Sequence, residues 1–175
     1  MSLRPRVKAA ETPDAVRRLV GPLYFGTAIG AALAGAAIFL LLDTPVPVAT
    51  RAALCAAFLA YALFGAWALR GSRRSNFPMN AALLAVSVIA LVLSVAASMA
   101  LGDGLRNPAI AFGALVVCML GAVAGVRHGV ALAGLSALSI GALAWGHLSG
   151  RLPAPPGAVS VQVLCAIHWL LIGCG

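Results

Sequence analysis

Charge is what this chain has least of. Of its 175 residues only 9% are Asp, Glu, Lys or Arg, and just four are acidic: Glu11, Asp14, Asp43 and Asp103. Soluble domains have about a quarter of their residues charged and about half apolar. Here 62% are hydrophobic and the mean hydropathy is +1.04, which excludes a soluble globular domain. No Lys, Arg, Asp or Glu falls within the long apolar runs. Ionisable groups at membrane depth are costly and, where they occur, mark ion paths and proton relays. Their absence argues against a proton-coupled transporter, an ion pump or an intramembrane hydrolase.

Other chemistry is missing too. The sequence has no cluster with metal-ligand spacing, no glycine loop of the phosphate-binding kind and no paired carboxylates. We therefore expect no metal, no cofactor and no catalytic site within these residues. The four cysteines, Cys55, Cys118, Cys165 and Cys174, fall singly inside apolar runs and form no C-x-x-C pair, so they read as small packing residues. The net charge of +8 comes from basic residues that flank the apolar runs and do not interleave with aromatics. That arrangement is not a nucleic-acid footprint. No period-2 alternation occurs, which leaves helices as the way to satisfy the backbone in lipid.

What is present is a series of apolar runs about 20 residues long, the length that crosses a hydrocarbon core of roughly 30 Å. The first 18 residues, "MSLRPRVKAAETPDAVRR", are polar and basic. Thr12-Pro13-Asp14 has the form of an N-cap, a first-position proline and a first-turn acid, so a helix should begin there. The run that follows is too long for the core of a cleavable signal peptide. The expected fold is all-α: a polytopic transmembrane helix bundle with about six spans, near 19–42, 52–69, 79–101, 108–126, 130–148 and 158–175. Pro45 and Pro47 mark the first loop as extended, and Arg70-Gly71 marks a helix end. "GVRHG", residues 125–129, reads as a very tight connection. The last run is still apolar at Gly175 with no basic flank, so the native protein is expected to continue.

Six spans place both termini on one side. Nine of the twelve basic residues, Arg4, Arg6, Lys8, Arg17, Arg18, Arg70, Arg73, Arg74 and Arg127, then share that side, against Arg51, Arg106 and Arg151 on the other. Basic flanks stay in the cytoplasm, so both termini are expected inside. Trp67, near the inner end of its span, and Trp145, near the outer end of its own, fit an aromatic belt.

This orientation turns "GDGLRNPAI", residues 102–110, outward. The stretch reads either as a plain turn, ending one span at Gly102 and starting the next with Asn107-Pro108, or as a sensing loop offering Asp103, Arg106 and Asn107. His128 beside Arg127 reads as a solvated interfacial residue. His147 lies near the outer end of the fifth span. His168 lies some ten residues into the sixth, roughly 15 Å deep at 1.5 Å per residue, with Gln162 above it. The two sit at different depths, which disfavours a shared haem or metal, so His168 reads as a neutral histidine bonded to a neighbouring helix. Both remain candidate ligand-sensing positions. Small residues four apart, Gly26 with Gly30 and Gly121 with Gly125 and Gly129, would let helices approach closely or dimerise. Ser87, Ser94 and Ser98, and Ser136 and Ser139, could hydrogen-bond across helices or line a shallow polar cavity.

The stretch from Gly104 to Pro153, "GLRNPAIAFGALVVCMLGAVAGVRHGVALAGLSALSIGALAWGHLSGRLP", resembles the polytopic membrane input modules of bacterial histidine kinases and diguanylate cyclases. In these a short outward turn of the form G-L/I-x-S/N-P precedes a span, a tight basic hairpin, another span and a proline-rich loop. The resemblance implies a sensory input region whose last span runs inward to a cytoplasmic output domain in the same longer chain. It implies the lipid bilayer and a second copy of the chain, in a homodimer, as partners. The reading set against it is a small transporter, channel or permease-like protein.

Overall fold

A computed structural model of the chain describes residues 12–41, 46–102, 104–106 and 108–152, with side chains described except at 12–18, 106 and 108–115. Five α-helices follow one another: α1 (Thr12–Leu41), α2 (Val48–Gly71), α3 (Met79–Leu101), α4 (Pro108–Ala124) and α5 (Val126–Leu148). A single 3-10 turn, Gly104–Arg106, lies between α3 and α4, and no strand occurs among the described residues. Residues 19–41 of α1, together with α2, α3 and α5, are long and apolar enough to cross a membrane. The 17 residues of α4 lie at the short end of the roughly 17–25 that span one. The expected sixth run lies outside the described residues.

The helix surfaces confirm what composition implied. Only 22% to 39% of each span's most apolar stretch is buried in the bundle, and the outward faces carry Leu23, Leu33, Leu63, Val92 and Leu138. In water such a surface would be an aggregation liability; in lipid it is the solvated face. This is a membrane protein.

The elements begin and end where the backbone chemistry allows. Between Pro78 and Gly102, α3 occupies the expected 79–101, with Gly102 in the left-handed region at φ 74 as its C-cap. The start of α2 differs from expectation by four residues. Pro47 stands just ahead of Val48, where its missing N–H matters least, and its carbonyl accepts from Arg51 N at 2.9 Å, so residues 48–51 are already helical. The "GVRHG" connection also shrinks. Gly125 alone, at φ 100 and ψ 156, reverses the chain, and Arg127 and His128 sit in the first turn of α5.

Between α1 and α2, whose contact is the most extensive in the bundle, side chains enter glycine gaps. The Phe58 ring lies over Gly35, and Ile29 lies over Gly65. Without a hydrophobic drive between helices in lipid, such close packing is what holds them together. Gly26 and Gly30, the pair picked out by spacing, have no described residue within 4 Å of where a Cβ would stand. Gly121 does pack, against Gly129 of α5 and so within one chain. The main core joins Tyr24 and Phe25 of α1, Tyr61 of α2, Leu83 and Val86 of α3, Leu120 of α4 and Leu132 of α5. Cys55 is buried beside Phe39, Val46 and Ala97 as a packing residue; Cys55 and Cys118 are both free thiols.

Candidate functional site

The two ends of the bundle differ. At the end where α3 and α5 finish, the chain folds back over the helices. Gly102 ends α3, and the 3-10 turn drops Leu105, 1% exposed, between Val95, Ile140, Leu143 and Ala144. From the other side, Gly150 at φ 71 closes α5: Arg151 N bonds to the Gly146 carbonyl at 3.0 Å, the 6→1 bond of a Schellman closure, and Leu152 N reaches the same carbonyl at 3.0 Å. That bond brings the Leu152 side chain over Gly146 and into the Leu105 cluster. Two turns thus seal this end with two leucines. Nearby, Arg51 Nε donates to the Phe39 carbonyl at 3.2 Å, satisfying one of the acceptors left open where α1 ends.

His147 belongs to this seal. Its imidazole lies against Gly104, whose φ of 52 and absent Cβ are both required: a methyl there would fall inside the ring. The sequence had singled out the 102–110 turn and His147 separately, and the structure makes them neighbours. His147 is 8% exposed, so the ring packs inward and is not offered to the outside. Arg106 is described in its backbone alone, and Asp103, Asn107 and His168 lie outside the described residues.

Inside the bundle the polar groups are paired. Ser87 Oγ donates to the Leu83 carbonyl at 2.8 Å, so its single proton is used and the Tyr24 hydroxyl must be the donor in the 2.5 Å bond between them. Tyr61 Oη donates to the Val86 carbonyl at 3.1 Å. Ser94, Ser98 and Ser139 bond back to carbonyls of their own helices. Of the serines set out by spacing, Ser87 is thus the one with a described bond to another helix. The two tyrosines were missed, because nothing in sequence links positions 24 and 87. A cavity of about 10 Å³ between Val20, Tyr24, Leu83, Met119, Leu120 and Val123 is too small for more than a single water.

The opposite end is open. Between Pro22 of α1, the 72–78 connection and the first turns of α3 and α5 lies a groove of about 980 Å³. Its polar lining among the described residues is Ser72, Arg73, Arg74, Ser75, Asn80 and His128. Beside it Phe77 meets Trp67 edge-on at 5.5 Å, and Trp67 stacks on Phe64 at 5.4 Å, an aromatic group of the kind found at headgroup depth. Gly71 ends α2 as expected, and it also makes room for the Phe77 ring. Among the described residues no group of three or more His, Cys, Asp or Glu could hold a metal ion. Compared with protein-family models, curated proteins and solved structures, the chain matches none.

Proposed function

We propose that this chain is the membrane-embedded input region of a bacterial signalling protein, a bundle of about six spans with both termini in the cytoplasm. The observation that carries the reading is the contrast between a packed interior and two unlike ends. The interior between α1, α3 and α4 offers a cavity of only about 10 Å³. The end assigned outward is closed by Leu105 and Leu152, while the basic end is open. A conduit needs polar or broken helices around a central site; a relay needs packed helices with two arrangements of similar energy. The closed end, where Gly104 meets His147, is then the part that takes up an outside or bilayer stimulus. The sixth span would pass the shift to an output domain, working as a homodimer.

The native reading frame beyond Gly175 tests this. A continuing helix with heptad periodicity and a kinase or cyclase domain supports the reading, and a stop or further apolar spans would contradict it. The transporter reading would require solute flux across vesicles containing the purified chain.

A further inference from the structure

The open groove has a chemistry of its own, which the signalling proposal does not use. Arg73 and Arg74 stand on the connection that walls it, with His128 opposite on α5. The helix behind begins without a side-chain cap: Pro78 precedes α3 and has no hydrogen-bonding side chain to give, and Asn80 and Ala81 of its first turn line the groove. The first turn of α5, also without a side-chain cap, reaches the same groove through His128. Two positive helix ends and two guanidinium groups favour an anion. The groove's other wall is apolar, with Pro22, Phe77 and Met79. One polar atom there needs a donor: Asn80 Oδ1 is buried and has no hydrogen-bond partner among the described residues. An acceptor in that position calls for a donor on whatever fills the groove.

We infer that this groove is a binding site for an anionic phospholipid whose headgroup carries a phosphate and a hydroxyl, of the phosphatidylglycerol class. The phosphate sits between Arg73 and Arg74 at the start of α3, a headgroup hydroxyl donates to Asn80 Oδ1, and the acyl chains leave along the apolar wall into the bilayer. Basic pockets between spans at the cytoplasmic face are suited to such headgroups. The site differs from general basic flanking in being local: Arg70 and Arg127 lie at the same end, are exposed and do not line it.

The full chain, purified in dodecyl maltoside, can be titrated with short-chain phosphatidylglycerol, phosphatidylcholine or free glycerol phosphate while native mass spectrometry counts bound molecules. Saturable binding of one phosphatidylglycerol per chain is expected, with phosphatidylcholine much weaker and glycerol phosphate, lacking acyl chains, not retained. Removing both charges with Arg73→Gln/Arg74→Gln should weaken binding roughly thirty-fold, at about tenfold per 1.4 kcal/mol and on the order of 1 kcal/mol per basic residue. The double variant Arg70→Gln/Arg127→Gln should change it less than about threefold, the remnant of long-range attraction. Asn80→Leu should remove the preference for phosphatidylglycerol over phosphatidic acid. Equal loss in the two double variants would mean diffuse attraction and would overturn the site. Retention of glycerol phosphate as strong as that of the lipid would replace a lipid site with a phosphate site. Absence of saturable binding would overturn both, and the signalling proposal would stand independently.

Discussion

The backbone of Gly129 in α5 presses against Gly121 in α4, so closely that a methyl on residue 129 would come 2.8 Å from the Gly121 Cα and 3.2 Å from its amide nitrogen. Backbone cannot step aside as a flexible side chain can. Gly129→Ala should therefore open the α4–α5 hairpin and cost about 1–3 kcal/mol. Gly134→Ala, in the same helix with nothing within 4 Å, should stay within about 1 kcal/mol of the parent. Thermal unfolding of both variants in detergent measures the difference. Equal melting temperatures would mean that the hairpin is not closed at this glycine pair.

The hydroxyl pair between α1 and α3 makes an asymmetric prediction. Tyr24→Phe removes a donor but leaves Ser87 bonded to the Leu83 carbonyl, so the loss should be near the ~0.6 kcal/mol average of interhelical bonds in membranes. Ser87→Ala strands the buried Tyr24 hydroxyl and should cost more, about 1–3 kcal/mol. Adding Tyr24→Phe to Ser87→Ala should recover part of that loss. Stability curves for the two single variants and the double one would reveal the pattern; a larger loss for Tyr24→Phe would contradict the assigned direction of the bond.

At the sealed end, Gly104→Ala meets two obstacles. Its φ of 52 costs an L-residue about 1–2 kcal/mol, and the new methyl would collide with the His147 ring for roughly a further 1–3 kcal/mol. Replacing the ring by His147→Ala relieves the collision and leaves the backbone strain. A double-mutant cycle should therefore show Gly104→Ala to be markedly milder in the His147→Ala background. Additive losses would mean that the turn and α5 are not in contact.

Much of this fold was legible because its breaks are chemically marked. Pro78 and Gly102 bracket α3, since one cannot continue a helix backward and the other can turn left-handed. The α5 start was misplaced by four residues because Arg127 and His128 look like loop residues, yet a single glycine performs the reversal and polar side chains are welcome in a first turn at the membrane edge. Glycine spacing picked out Gly121 and Gly129, which do meet, but it does not say which face meets which neighbour, and the gaps used between α1 and α2 are Gly35 and Gly65.

The turn after α3 illustrates the limit for the site. Its charges drew attention in the sequence, while its anchor is the one apolar residue between them, Leu105. The basic groove was equally hidden. Arg73, Arg74, Asn80 and His128 are far apart in sequence or masked as ordinary flanking polarity, and only the meeting of α3 with α5 brings them to one cavity.

The whole account depends on which end of the bundle faces the cytoplasm. With Cys55, Cys118, Cys165 and Cys174 replaced by alanine, single cysteines at the exposed positions Arg74 and Ser149 can be challenged with a membrane-impermeant maleimide in intact bacterial cells. The account predicts that Ser149→Cys labels in intact cells, with the outer membrane permeabilised, and that Arg74→Cys labels only once the inner membrane is opened. Labelling of Arg74→Cys in intact cells would contradict it, placing the basic groove outside and the sealed end within.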